Sequence, residues 1–521
     1  MSGTAANAST FEIDDYSNLN GIQLGVMLVS IIIVALCGIT YELIIGTAST
    51  YLLGNSVYQF SLTIGFFMFA MGLGSYLSRL LMRYLLACFV WVEIAISVIG
   101  GLCSLSLFLA YSMVNSFYIP VMYFFIITIG TLVGVEIPIL TRILSQKEII
   151  RKSISDVLSL DYVGALIGSV VFPLLLLPSM GLIRSSFVIA LINILTAIVN
   201  LIYFRDHLIR IKPLAAAAIT TLVLLMILTL AGSRLTSFAE HHLYQDQVVV
   251  SKQTPYQKIV FTRKIGTGEY RMYIDGHILF AQRDEHRYHE ALVHPVMSLP
   301  GTAAAILVLG GGDGLAVREL MKYPGIKRID LVDIDPQITA FAAEFPPLIK
   351  MNHNSLNLDK VHVINADAFS FINQPGMLYD RVIIDMPDPH NEALNKLYSR
   401  EFYRMIKRRL QPHGAIVTQS SSPFFARRTF WSIAKTLRAA GFKVFSYKIT
   451  VPSFGIWGYH IASPDPVRFE QMHITVPTRY LTEDVLAAAS VFGKDISPIE
   501  VPVNTLLEPK LYLLYVTDLQ Q

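Results

Sequence analysis

The sequence predicts an α-helical membrane bundle of about seven spans, fused to a small antiparallel β domain and a doubly wound α/β domain. Three observations predict this. Apolar runs long enough to cross a bilayer fill most of the chain up to about residue 232. Short β-rich runs follow from about residue 240. Strands then alternate with helical stretches, the rhythm of a parallel sheet with crossover helices. At 521 residues the chain exceeds what one core supports, and its 53% hydrophobic and 15% charged content averages two unlike halves.

Residues 1–21 form a polar, acidic tail, unlike the basic start of a signal peptide. The transmembrane domain is read over 22–232. Its spans are 22–46, 57–81, 84–112, 118–142, 158–180, 182–204 and 213–232. Glycines at Gly65, Gly72, Gly74, Gly164 and Gly168 suit close helix packing. Glu42, Glu93, Glu136 and Asp161 lie in or near the spans. Acids are costly in a bilayer, so they either bond to neighbouring helices or line a cation path. Loops holding Arg79, Arg83, Arg142, Lys147, Arg151, Lys152, Arg205, Arg210 and Lys212 alternate with loops holding little beyond Arg184. That pattern favours a cytoplasmic N-terminus. Seven spans would then place the C-terminal half outside. The expectation is nonetheless a multi-pass protein of the cell membrane whose C-terminal half lies in the cytoplasm.

The small β domain is read over 240–300, with Asp275-Gly276 as a hairpin turn. The doubly wound domain takes 301–521, with strands at about 305–309, 329–333, 361–365, 380–385, 414–419 and 442–448. In such Rossmann-like, methyltransferase-type sheets, ligands bind beyond the carboxyl ends of the strands. Each of the first four ends carries an acid. The first is Gly310-Gly311-Gly312-Asp313-Gly314, whose glycines permit a tight turn and close approach to a ligand. The second ends in Asp333 and Asp335, placed for ribose hydroxyls. The third carries Asp367, able to accept from an adenine amino group. The fourth carries Asp385 and Asp388. A carboxylate in the glycine loop repels phosphate and welcomes an amine or sulfonium, and the G-x-G-x-x-G spacing fails at Val317. An S-adenosyl nucleoside fits better than a dinucleotide. The net charge of +3 gives no reason to invoke nucleic acid. Cys37, Cys88 and Cys103 lack paired spacing, so neither disulfides nor zinc are indicated. His289-Glu290 with His294 misses the H-E-x-x-H spacing, and no metal is expected.

At these residues the chain resembles the spermidine synthases, the polyamine aminopropyltransferases, over about 240–465. The motifs occur in order: Tyr256-Gln257; Asp275-Gly276 with Gln282; Asp284-Glu285 and Tyr288-His289-Glu290; the glycine loop; Asp333; Asp367; the Asp385–Pro389 run; Leu397-Tyr398-Ser399 with Phe402-Tyr403. The hydrophobic half, with Tyr162–Gly168 and Gly134–Pro138, resembles the multi-spanning domain fused to some bacterial members. The resemblance implies decarboxylated S-adenosylmethionine as co-substrate, an amine acceptor (putrescine, giving spermidine) and methylthioadenosine as by-product, with no other cofactor. It implies that Gln257, Gly310, Gly312, Asp313, Asp333 and Asp367 hold the donor, with Asp313 on its aminopropyl ammonium. Asp385 would serve the attacking amine, which Tyr288 and Asp388 would position. Beyond these small molecules and the lipid bilayer no partner is implied, and a homo-oligomer stays open. The chain departs from the family pattern at Met386-Pro387, at Phe454 and at Asp333, where glutamate is usual. The first two changes touch the acceptor side. Two other readings stay open: an S-adenosylmethionine-dependent methyltransferase, and a non-catalytic transporter or sensor that binds polyamine or nucleoside.

Overall fold

The computed structural model describes residues 16, 19–53, 56–113, 117–146, 150–208, 211–244 and 246–519. The chain divides into two compact units, Met1–Val248 and Val249–Gln521.

The first unit is helical: α1 (Gly21–Leu53), α2 (Ser56–Leu77), α3 (Leu85–Met113), α4 (Tyr118–Leu144), α5 (Ile150–Val171), α6 (Leu177–Tyr203), α7 (Ile211–Leu230) and α8 (Gly232–Tyr244). Among the described residues, six helical runs are long and apolar enough to cross a membrane, against the seven expected. The difference lies in Ile154–Tyr203, a continuous 50-residue run where the sequence suggests two spans. Pro173 sits in a π-helical turn, Phe172–Leu176, and Gly181 leaves helical geometry altogether (φ 71°, ψ −177°). Proline removes a helix donor and crowds the preceding turn, so the i→i−4 ladder gives way here. Helices pack closely where glycine leaves room. A Cβ on Gly74 would lie 2.0 Å from the Thr131 carbonyl oxygen of α4, and one on Gly164 2.1 Å from that of Ile32 in α1. Gly168 is similarly crowded against α1, whereas Gly65 and Gly72 face open space and take no part in packing. Arg142 closes the turn after α2, donating to the carbonyls of Ser78 and Leu81.

The second unit begins with four antiparallel strands in sequence order: β1 (Gln247–Gln253), β2 (Lys258–Arg263), β3 (Tyr270–Ile274) and β4 (His277–Ala281). Asp275 (φ 48°) and Gly276 (φ 82°) turn β3 into β4, both with the positive φ of a type I′ hairpin. A seven-stranded sheet follows: β5 (Ala305–Gly310), β6 (Arg328–Asp333), β7 (Val361–Asn365), β8 (Tyr379–Asp385), β9 (Leu410–Gln419), β10 (Lys443–Val451) and β11 (Gly455–Ser463). Their order is β10-β11-β9-β8-β5-β6-β7. The five strands β5 to β9 run parallel, but β11 pairs antiparallel with both β9 and β10. The sheet is therefore mixed, and 455–463 is a strand absent from the sequence expectation.

Apolar residues on β5 divide by parity. Ile306 and Val308 join one buried cluster, Leu307 and Leu309 another. Alternate side chains face opposite sides of a strand, so both faces of the sheet are covered and its central strands read as continuous apolar runs. Strand order reverses at β5 and β8: the chain passes from β5 outward to β6 and β7, then returns to β8 on the other side. The crevice at such a reversal is where open α/β sheets bind ligands.

Candidate active site

Register places the key residues together. Gly310, at the end of β5, lies beside Asp385 at the end of β8. On the other flank Asp333, ending β6, lies beside Asn365 of β7, two residues before Asp367. The approach is close because Gly310 has no side chain. It has φ 79°, and a Cβ there would sit 2.1 Å from the Asp385 carbonyl oxygen. Gly312 meets the same constraint on the opposite side, where a Cβ would lie 2.6 Å from Asp333 Oδ2.

The acids then differ by what binds them. Asp313 is 3% exposed, and its Oδ1 accepts from the Leu315 backbone N–H at 2.8 Å, opening the helix Leu315–Leu320. Burial, opposed by the His289 imidazole and reinforced by the Asp385 carboxylate, pushes its pKa up to about 6. Asp385 accepts the Tyr288 hydroxyl on Oδ1 at 2.7 Å. Burial raises its pKa as well, while His289 and the Tyr288 bond work the other way. Tyr288 projects from the helix Glu285–Met297, its ring edge-on to Phe454 at 6.0 Å. Asp284 holds the Phe454 loop in place, accepting from the Ser453 N–H (2.7 Å) and hydroxyl (2.8 Å).

Asp333 accepts two backbone N–H groups, Gly312 on Oδ2 (3.1 Å) and Asp335 on Oδ1 (2.9 Å). Burial nonetheless lifts it to about 6. Gln257 reaches this corner indirectly: its Nε2 donates to Asp335 Oδ2 at 2.9 Å, beside the Thr254 hydroxyl at 2.8 Å. Asp367 stands at the rim. It caps the helix Ala368–Asn373 through Ser370 N–H (2.8 Å) and pairs with Lys396 Nζ (2.8 Å). Partial burial acts to raise its pKa, but Lys396 and Ser370 hold it below the ordinary carboxylate value. Asp388 is ringed by donors: Gln419 Nε2 (3.2 Å), Ser421 Oγ (3.0 Å) and Tyr515 Oη (3.0 Å). Burial still pushes it to about 6.

The metal-like triplet resolves into three separate partnerships. His289 Nδ1 bonds Glu285 (2.9 Å), Glu290 accepts the backbone N–H groups of Arg479, Tyr480 and Leu481, and His294 bonds Glu319 and Tyr323. Burial acts against charge on His289, but the Glu285 bond and the nearby Asp313 and Asp385 raise its pKa.

In the helical unit, Glu93 of α3 and Glu136 of α4 are fully buried, and among the described residues none of their four carboxylate oxygens has a hydrogen-bond partner. Asn193 donates to the Glu93 carbonyl at 3.1 Å.

A family model described as the spermine/spermidine synthase domain matches residues 285–471. The polyamine aminopropyltransferase of Leptospira interrogans is 40% identical over 487 residues, covering 94% of this chain and 97% of the relative. The chain belongs to the polyamine aminopropyltransferases. That of Oceanobacillus iheyensis is 39% identical over 492 residues, covering 93% and 95%. Both units fall within alignments of this extent, so the apolar helices are shared with these aminopropyltransferases too. The solved spermidine synthase of Thermotoga maritima superposes with a TM-score of 0.43 at 21% identity, over 47% of this chain and 84% of its own.

The candidate site of this aminopropyltransferase also contains residues that the sequence does not single out, Gln419, Ser421 and Tyr515. Asp335, by contrast, stands with Asp333 in the strand-end run that the sequence itself marks. Gln419 and Ser421 follow the apolar strand β9, again at a strand end. Ser421 has φ 63°, rare for a residue with a side chain, and this turn aims its hydroxyl at Asp388. Tyr515 comes from the helix Leu511–Leu519, 127 residues from its partner, and no local pattern marks it.

Proposed function

We propose that the protein transfers the aminopropyl group of decarboxylated S-adenosylmethionine to putrescine, forming spermidine and releasing methylthioadenosine. The observation that carries this reading is the Asp313–Asp385 pair at the strand reversal. Each carboxylate has one oxygen occupied by a protein donor, and among the described residues the other oxygen of each takes no protein hydrogen bond. Two cationic substrates need two such oxygens.

Asp333 holds the ribose end, with the buried Asp335 and Gln257 bracing that corner behind it, and Asp367 takes the adenine amino group at the rim. Gly310 and Gly312 let the nucleoside lie against bare backbone. Asp313 binds the ammonium of the aminopropyl chain. The acceptor enters beside Asp385, its remote ammonium on Asp388. Asp385 takes a proton from the near nitrogen, whose freed lone pair attacks the methylene next to the sulfonium. The new C–N bond forms as the C–S bond breaks, and sulfur leaves as a neutral thioether with the bonding pair. The Tyr288 bond fixes Asp385 so that the basic oxygen faces the amine. Positioning both reactants can supply on the order of 7–11 kcal/mol of the barrier, and the base a further 10²–10⁴-fold or so.

The helical unit anchors this domain in the cell membrane. The catalytic domain is assigned to the cytoplasm, where the donor is made. The deciding experiment incubates purified protein with donor and putrescine and follows spermidine and methylthioadenosine by mass spectrometry. Both products should appear in equal amounts and form about 10²–10⁴-fold more slowly with Asp385→Asn. Failure to form either product, with putrescine or a panel of other amines, would overturn the reading.

A further inference from the structure

Asp388 is held by three side chains from two places in the chain. Gln419 and Ser421 come from the end of β9, within the sheet. Tyr515 comes from the C-terminal helix Leu511–Leu519, and its hydroxyl donates to Asp388 Oδ2 at 3.0 Å. That helix is bolted down. Asp518 accepts from Arg428 Nε (2.5 Å) and from the Thr429 N–H (3.1 Å) and hydroxyl (3.2 Å). Asn504 Oδ1 accepts the N–H groups of Lys510 and Leu511, while its Nδ2 reaches the carbonyls of Asn395 and Tyr398. Asn395 Oδ1 in turn accepts the Tyr512 N–H at 3.2 Å. Leu511 and Tyr512 are buried beneath.

These anchors tie the helix to residues 395–398, in the segment that follows Asp388 itself. Tyr398 closes the loop, its hydroxyl donating to the Pro387 carbonyl at 2.8 Å. On the opposite side of the acceptor pocket stand rings without hydroxyls: Phe454 packs edge-on to Tyr288, and Trp457 packs against Phe454. The phenol on Asp388 is thus contributed by the tail and not by that loop. A carboxylate offers about four lone-pair positions, and three are filled. One remains, which fixes the direction from which an ammonium can approach.

Resting on the aminopropyltransfer reading above, we infer that the C-terminal helix is part of the amine-acceptor site, with Tyr515 the positioning residue that orients Asp388 toward the remote ammonium of a diamine. The helix acts on acceptor affinity and not on the donor, whose carboxylates lie at or just beyond the ends of β5, β6 and β7 and, among the described residues, make no hydrogen bond to it.

The test compares Tyr515→Phe with Tyr512→Phe in the full-length protein. The two tyrosines lie on one helix, but the Tyr512 hydroxyl is buried and has no hydrogen-bond partner among the described residues. Tyr515→Phe should raise the KM for putrescine roughly 10-fold or more, the scale of a hydrogen bond to a charged group, with the donor KM unchanged. It should also move the acidic limb of kcat/KM for the amine to higher pH, because Asp388 loses a donor that favours its ionised form. Tyr512→Phe should change neither. Calorimetric titration of putrescine into each variant gives the same comparison without turnover. An unaltered putrescine KM in Tyr515→Phe, or equal losses in donor and acceptor, would overturn the assignment while leaving aminopropyl transfer intact. Absence of transfer by the unmodified protein would instead remove the reading beneath it.

Discussion

Replacing Asp313 with asparagine should make the catalytic unit more stable at pH 8 while abolishing transfer. Burial, offset by His289 and reinforced by Asp385, lifts the Asp313 pKa from 3.8 to about 6. A carboxyl with a raised folded-state pKa binds its proton more tightly folded than unfolded. Its contribution is therefore fully favourable below about pH 4 and is lost as pH rises through about 6. Two decades at about 1.4 kcal/mol each give about 3 kcal/mol of strain above pH 7. The figure is net of the His289 attraction. Asparagine keeps the acceptor for the Leu315 N–H and carries no charge, so it relieves most of that strain. For a unit of this size the unfolding midpoint should rise on the order of 5–10 °C at pH 8. At pH 5 the folded carboxyl is largely protonated but the unfolded one is ionised, so about half of the gain, about 1.5 kcal/mol, should remain, and it should vanish only below about pH 4. Thermal unfolding of the full chain in detergent, read through Trp431 and Trp457 of the catalytic unit, measures both. A fall in the midpoint at pH 8, or an equal rise at both pH values, would refute the argument that Asp313 is a strained buried charge kept for binding.

Asp385→Asn should lower kcat by about 10²–10⁴-fold while donor binding, followed by calorimetry, persists. Retention of rapid turnover would remove Asp385 as the proton acceptor. Asp313 and Asp388 both titrate near 6 and both act ionised, so kcat/KM for the amine should climb as pH rises from 5 to 7. A profile flat across that range would contradict the assignment. Gly312→Ala would drive a Cβ to 2.6 Å from Asp333 Oδ2, so the donor KM should rise well above the amine KM in steady-state kinetics. Equal changes in the two would show that Asp333 does not hold the donor.

Much of the catalytic unit is legible in the sequence because its signals are local. Asp275-Gly276 takes the backbone that an Asp-Gly hairpin demands. The β5 glycines fit because residues 306–309 form a strand that must turn sharply at its end. Strand-end acids stand out against apolar runs, and a parallel sheet sends all of those ends to one side. The strand β11 is less legible: Gly455-Ile456-Trp457-Gly458 lacks clean alternation. Gly458 is required there because a Cβ would meet the Phe430 ring at 2.2 Å, a constraint that exists only after folding. The same holds in the helical unit, where Gly74 and Gly164 meet neighbouring backbones and Gly65 and Gly72 do not.

By itself, the sequence determined the two unlike halves, the alternation of strand and helix, and the acids at the strand ends, because each is written in the spacing of neighbouring residues. Tertiary structure decided which oxygen of each acid is occupied. It also set the mixed order of the sheet and brought Tyr515 across 127 residues to Asp388. Hydrogen bonds of that range depend on how whole elements pack, and no local pattern of residue types encodes them.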